Sequence, residues 1–331
     1  MKQLEVLFTL LCILGMSTLG AQTLGDEDGS EYALASMTTQ TDETKSLFKD
    51  MSSKNGLFAF EAYKKNFLLP LSYSKDKPPR VLTSLPVGAA GSEFDPVFDG
   101  HLEIEFQFSL KKQLAYNLLG MNEFIYVAYT QKAWWQAYID SAPFRETNYE
   151  PEVYGYFPLD KEWDESIGLK ALQFGFVHQS NGQEGFRSRS WNRIYAIGHW
   201  QFDNLFISTR AWFKIPEADR DEGYDDPTSP NFDPNAEGDN NPDIDEYMGY
   251  GDIKVDYLYG KSQIGVLLRN NLRFNSQNKG GIELNYLYPI AGSKNTYWYA
   301  EVFHGYGQSL VDYNREVTKV SAGFAFSRGM F

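Results

Sequence analysis

His178, Ser180 and Asn192 are the residue types that together can cleave an ester. A serine hydroxyl attacks a carbonyl when a base removes its proton, and an imidazole base needs a third group to fix its tautomer. The stretch 172–180 alternates strictly. Leu172, Phe174, Phe176, His178 and Ser180 share one face of an extended strand, and Gln173, Gly175, Val177 and Gln179 share the other. Residues two apart lie about 7 Å apart along a strand, a gap that an imidazole and a hydroxyl can bridge. Asn192 follows a reversal between Asn181 and Ser190, so the returning chain can run antiparallel and bring its amide to His178. An asparagine orients an imidazole but supplies no charge to an imidazolium. Electrostatic help must come from elsewhere, and a divalent cation is the natural supplement.

Taken alone, the His-x-Ser pair and the later Asn leave a structural role open. Four histidines occur in the chain. His101 opens an alternating strand, while His199 and His304 sit beside Trp200 and Gly305 without a nearby nucleophile, so all three read as structural. His178 differs because it continues a greasy row, where polar groups facing lipid are costly unless used.

The elements that must position these residues are strands. In 101–110, Leu102, Ile104, Phe106, Phe108 and Leu110 oppose His101, Glu103, Glu105, Gln107 and Ser109. In 318–326, Thr318, Val320, Ala322, Phe324 and Phe326 oppose Lys319, Ser321, Gly323 and Ala325. Further strand-like runs cover 124–135, 253–259, 263–273, 282–288 and 298–306, separated by Gly, Asn, Asp and Pro. The fold class is all-β. A soluble sandwich alternates too, but three features favour a transmembrane antiparallel β-barrel: an aromatic load suited to interfacial girdles, fully charged polar faces, and a terminal Phe331.

Lys2 followed by the apolar run 6–16 and by small residues up to Ala21 predicts a signal peptide over 1–21. That run is too short to span a membrane as a helix. Residues 22–55 read as a flexible acidic lead segment, and 56–331 as the barrel. Cys12 is the single cysteine and falls inside the expected signal peptide, so no disulfide staples the mature chain. A net charge of −14 without Lys/Arg clusters argues against nucleic acid as a partner. The stretch 217–246, dense in Asp, Glu, Asn, Pro and Gly, reads as a long outer loop. Its spacing does not fit an EF-hand, so a solvated acidic loop is expected, with a specific metal site as the alternative.

The words around the three residues say more. His178-Gln179-Ser180-Asn181-Gly182, followed by Ser188-Arg189-Ser190-Trp191-Asn192-Arg193-Ile194-Tyr195, resembles the active-site segment of the outer-membrane phospholipase A family. Pro143-Phe144-Arg145-Glu146-Thr147-Asn148-Tyr149-Glu150-Pro151 and Tyr129-Thr130-Gln131-Lys132 with Trp134-Trp135 resemble its other signatures. The similarity runs on through Tyr247-Met248-Gly249-Tyr250 and Gly305-Tyr306-Gly307-Gln308-Ser309-Leu310, covering most of the chain from Gly56.

The resemblance implies a twelve-stranded barrel in the bacterial outer membrane with its active site on the outer wall. It implies Ser180 as nucleophile, His178 as base and then acid, Asn192 as the orienting residue, and the Gly182 amide as part of the oxyanion site. It implies calcium bound by the Ser188 hydroxyl and the Gln183 carbonyl with Ser141 of a neighbouring copy, and a subunit contact at Gln131. The active form would then be a homodimer acting on phospholipid, with A1, A2 and lysophospholipase activities. Gln183 stands where family members often have Arg, and Gln179 where they often have Asp; the first keeps its carbonyl ligand, and the second should affect the inner wall. Two alternatives stay open: a non-enzymatic pore or structural barrel, and a barrel hydrolase acting on lipopolysaccharide acyl chains.

Overall fold

Strict alternation over many strands can bury polar groups on one side of a sheet and present apolar groups on the other. A sheet of that kind has nowhere to hide its edges except by closing on itself. The computed structural model describes residues 60–77, 98, 100–224, 228–233, 236–293 and 295–329. The expected signal peptide at 1–21, the acidic lead segment at 22–55 and Phe331 lie outside the described residues.

The elements run β1 (Glu61–Ala62), β2 (Phe67–Ser74), β3 (Leu102–Tyr116), β4 (Phe124–Trp135), β5 (Phe144–Pro158), α1 (Lys161–Ile167), β6 (Leu169–Ser180), β7 (Ser190–Phe202), β8 (Leu205–Lys214), α2 (Ile244–Met248), β9 (Gly251–Tyr259), β10 (Ser262–Asn270), β11 (Gly280–Pro289), β12 (Tyr297–Gly305) and β13 (Val317–Ala325). From β2 to β13 each strand pairs antiparallel with the next, and β13 pairs back onto β2. Twelve strands therefore form a closed ring, as expected, with β1 adding two residues against β3.

The faces divide as an inside-out protein should. Phe174, Phe176, Ile264, Leu284, Trp298, Val302 and Val320 are exposed on the outer wall, whereas Glu103, Glu105, Ser109, Lys319 and Ser321 are buried inside. A soluble sandwich would show the reverse. Buried charges persist only when paired, and these are: Arg145 Nε meets Glu103 at 3.1 Å and Arg145 meets Asp312 at 2.5 Å, while Lys132 meets Glu105 at 2.7 Å. Lys319 bridges Glu103 and Glu105. Farther along the lumen Tyr63, Tyr126, Tyr154, Trp191, Tyr195 and Trp212 pack into an aromatic cluster. Among the described residues no helix is long and apolar enough to cross a membrane.

One end of the barrel carries the tight connections 203–204 and 260–261 together with 159–168, which holds α1, and the other carries the longest connections. At that second end lie 136–143, 181–189, 215–250, 271–279 and 306–316. Most described carboxylates of the acidic stretch 217–246, among them Asp219, Asp221, Glu222, Asp233, Glu237 and Glu246, are exposed, but one part of it is packed against the barrel. Asp239 and Asn241 are buried, and Asp239 pairs with Lys214 at 2.6 Å. Compact burial of this part of the loop follows from its Asn and Asp side chains, which satisfy backbone groups of neighbouring segments instead of water.

Candidate active site

On β6 the register partner of His178 is Asn192 of β7, and that of Ser180 is Ser190. Phe174 and Phe176, at 49% and 38% exposure, mark the outer face of β6, and His178 and Ser180 continue that parity. On β7 the exposed Ile194 marks the same face, with Asn192 two residues before it. The His178 imidazole and the Asn192 amide thus meet on the outer wall, Nδ1 to Oδ1, at 2.9 Å. Among the described residues Ser180 and His178 form no hydrogen bond; they occupy successive outward positions of one strand. Gln179 points the other way, accepting from the Trp191 indole at 2.7 Å and from Arg193 at 3.2 Å, so it belongs to the inner wall.

The neighbour on the other side is β5. Pairing of Tyr149 with Ser180 and of Glu152 with Val177 sets Pro151 opposite His178. Proline has no N–H to give the ladder.

The reversal between β6 and β7 is organised by a residue to which sequence reasoning gave no role. Asn181 is buried, and its Oδ1 accepts from the Gln183 and Arg189 amides at 3.2 and 2.9 Å, while its Nδ2 donates to the Arg187 carbonyl at 2.8 Å. These bonds draw 182–188 into a closed loop. Gly182 adopts φ +62, and a Cβ there would lie 3.0 Å from the Tyr149 ring, so only glycine fits without strain. Its amide has no protein acceptor among the described residues.

Of the residues expected at a cation site, Ser188 and Gln183 share this loop and Ser141 lies on the 136–143 connection, exposed and at φ +61. Ser188 Oγ accepts one hydrogen bond, from Asn240 Nδ2 at 2.8 Å, which leaves it a second lone pair. The Gln183 carbonyl accepts none among the described residues. Neutral hard oxygens of this kind suit calcium, yet two from one chain are too few for its coordination number. Among the described residues no cluster of three His, Cys, Asp or Glu could hold a metal ion. On β4, Gln131 shares the outward parity of Tyr129, and its Oε1 accepts from the Tyr129 hydroxyl at 3.1 Å.

The remaining histidines are structural. His101 stacks on Tyr73 at 5.6 Å, His199 bonds Ser208 at 3.0 Å inside the barrel, and His304 bonds Thr318 at 2.9 Å. Sequence reasoning also missed the partner of Asn192: its Nδ2 donates to Glu217 Oε1 at 3.0 Å. The clue was parity. Phe213 faces outward on β8 opposite Ile194, and the same count carried on reaches Ile215 and then Glu217.

Residues 44–326 match the family model described as phospholipase A1. The chain belongs to the phospholipase A1 family. Phospholipase A1 of Klebsiella pneumoniae is 36% identical over 223 residues, covering 67% of this chain and 69% of the relative. Phospholipase A1 of Escherichia coli K12 is 34% identical over 223 residues, with 67% and 68% covered. Among solved structures, the outer membrane phospholipase A of Escherichia coli superposes with a TM-score of 0.65 at 31% identity, covering 82% of this chain and 99% of the other. The outer membrane phospholipase of Salmonella typhi, a dimer with bound calcium, gives 0.66 at 30% identity, covering 83% and 94%. With this family and this closed barrel, the chain is an outer-membrane phospholipase, and its outward apolar belt is the surface that meets lipid.

Proposed function

We propose that this phospholipase cleaves acyl ester bonds of phospholipids through Ser180, His178 and Asn192, depends on calcium, and is activated by dimerisation. The observation that carries the reading is the 2.9 Å contact between His178 and Asn192 on the same outward row as Ser180. With Nδ1–H given to the Asn192 oxygen, the Nε2 lone pair is the base. It takes the proton of Ser180 as Oγ attacks the ester carbonyl carbon. The resulting oxyanion accepts a hydrogen bond from the Gly182 amide. Collapse breaks the bond to the glycerol oxygen, which leaves with the proton from His178 as lysophospholipid. Water, deprotonated by His178, then attacks the acyl-serine, releasing fatty acid and restoring Ser180.

Ser188, the Gln183 carbonyl and Ser141 of a second copy would hold calcium. When bound, the ion supplies positive charge beside the developing oxyanion. A site that one chain leaves incomplete fits an enzyme switched on by association, with Gln131 in the contact. The solved Salmonella typhi relative, a dimer with bound calcium, supports this reading. A1, A2 and lysophospholipase activities are all expected from the family resemblance.

The test is product analysis on mixed micelles with and without calcium. Purified protein should release fatty acid and lysophospholipid only with the ion, and Ser180→Ala should release neither. Undiminished release by Ser180→Ala would exclude the mechanism, and release from lipopolysaccharide alone would exclude the substrate class.

A further inference from the structure

We propose that Glu217 is a fourth member of the catalytic relay, a positioning residue that supplies through Asn192 the negative charge an asparagine lacks. The proposal rests on the Ser-His-Asn reading and extends it to a residue outside the barrel wall.

The geometry is a chain of two contacts. Asn192 Oδ1 meets His178 Nδ1 at 2.9 Å, and Asn192 Nδ2 meets Glu217 Oε1 at 3.0 Å. An ionised carboxylate only accepts hydrogen bonds. Glu217 therefore selects the NH₂ side of the Asn192 amide, which turns the amide oxygen toward the ring. An amide oxygen also only accepts, so Nδ1 must carry the proton and Nε2 is left as the base. Without Glu217 the two ends of the amide are nearly interchangeable, and a flipped amide would present N–H to the ring and stabilise the wrong tautomer. The carboxylate also polarises the amide toward the ring, so positive charge formed on His178 is opposed by negative charge one amide away.

Glu217 is held in place on both sides. The Ile215 amide donates to the Asn192 carbonyl at 2.8 Å, continuing the β7–β8 ladder past its end. The Asp239 amide donates to the Ala218 carbonyl at 2.8 Å, and Asp239 is itself anchored by Lys214 at 2.6 Å. Pro216 stiffens the link between them. The segment that carries Glu217 is thus fastened by neighbours of the site.

Other charges around the pair are engaged or turned away. Lys214 of β8 is bound to Asp239, Arg193 of β7 faces the lumen and meets Glu150 of β5 at 3.3 Å, and Arg220 lies over Tyr224 at 4.9 Å. Asp219, in the same segment as Glu217, is exposed. Glu217 is the carboxylate bonded to Asn192.

The experiment compares Glu217→Gln, Asn192→Asp and the double variant Asn192→Asp/Glu217→Gln, each checked for a folded barrel by its heat-dependent gel mobility. Glu217→Gln keeps an oxygen that can accept from Asn192 but removes the charge, so it should lower kcat about fivefold to tenfold, as expected for exchanging a charged acceptor for a neutral one, with KM unchanged. Loss of the carboxylate destabilises the imidazolium, so His178 gives up its proton more readily and the acid limb of the kcat profile moves to lower pH. Asn192→Asp places two carboxylates in contact and should also be impaired. The double variant moves the charge to position 192 and lets the glutamine amide donate to it, so it should exceed both single variants. A double variant no better than either single one, or Glu217→Gln with unchanged kcat and acid limb, would overturn the proposal.

A second readout does not depend on turnover. In a Ser180→Ala background, NMR titration of the His178 ring should give a lower pKa with Glu217→Gln than without, and equal values would overturn the proposal. If Ser180→Ala alone leaves hydrolysis intact, the parent mechanism fails, while this titration still decides whether Glu217 acts on His178.

Discussion

Asn240 Nδ2 donates to Ser188 Oγ at 2.8 Å, and Asn240 Oδ1 accepts from the Ser190 amide at 3.0 Å. The acidic segment after β8 therefore grips the C-terminal end of the loop that carries the proposed calcium ligands. Asn241 adds a third contact, its Oδ1 accepting from the same Ser190 amide at 3.0 Å. Asn240→Ala removes the side chain that fixes the Ser188 hydroxyl. A lost neutral hydrogen bond is worth about 1 kcal/mol, so the calcium concentration for half-maximal activity should rise about fivefold, with the maximal rate largely kept. A calcium titration of fatty-acid release that matches the unaltered protein would show that the grip is irrelevant to the ion.

Gly182 tests the oxyanion assignment. Its φ of +62 is the left-handed region, and an added Cβ meets Tyr149 at 3.0 Å. An alanine there costs about 1–2 kcal/mol in backbone strain alone, and relief of that strain would swing the amide away from the reacting carbonyl. Gly182→Ala should lower kcat by about 100-fold, the usual effect of losing one oxyanion donor, with little change in barrel unfolding. Steady-state kinetics alongside urea unfolding separates the two, and an unaltered kcat would remove Gly182 from the mechanism.

What the sequence makes legible follows from periodicity. A period of two says which residues share a face, so the outward placement of His178 and Ser180 could be read before any register was known. The β4 run 124–135 coincides with the observed strand because it is an unbroken stretch rich in aromatic and β-branched residues with no Gly or Pro inside it. By contrast β5 hides behind Pro151 and a run of polar residues, since most of its polar side chains face the lumen network and not water. The 181–189 loop was legible only as a reversal. Its actual shape depends on Asn181, whose bonds span the loop to Arg189 and reach Glu146 of β5, 35 positions away. Glu217 could be reached only by carrying the β8 parity past the end of the strand, and Asn240 not at all: loops have no period, and side-chain bonds between distant segments leave no trace in local pattern.

The luminal charges are a stability device. Arg145 joins Glu103 of β3 to Asp312 of the 306–316 connection, all three side chains being at most 5% exposed. Arg145→Ala leaves the buried Asp312 carboxylate, among the described residues, with the Ser309 hydroxyl at 3.4 Å as its one side-chain partner. Breaking a buried pair from one side typically costs about 3–5 kcal/mol. The Lys161–Glu165 pair on α1, with side chains 73% and 66% exposed, is the control, and Lys161→Ala should cost under about 0.5 kcal/mol. Urea unfolding in detergent micelles should lower the midpoint strongly for the first variant and hardly at all for the second. Equal midpoints would mean that water reaches the lumen network freely.

Gln131 tests association on the lipid-facing wall. Its Oε1 is occupied by the Tyr129 hydroxyl at 3.1 Å, but its amide nitrogen has no acceptor among the described residues. Lipid tails offer none, so the two N–H groups gain most from a second copy placed against β4. Interhelical amides in membranes are worth about 1–2 kcal/mol, and a barrel wall sets the same choice between lipid and a protein partner. Gln131→Leu keeps the volume and removes the donors. Calcium-induced dimerisation, followed by energy transfer between labelled copies in micelles, should weaken about tenfold while Ser180 stays reactive to an active-site sulfonyl probe. Undiminished dimerisation would place the subunit contact on another part of the wall. A parallel loss of probe reactivity would instead tie the nucleophile's reactivity to association, because β5 lies between β4 and β6 and contacts both.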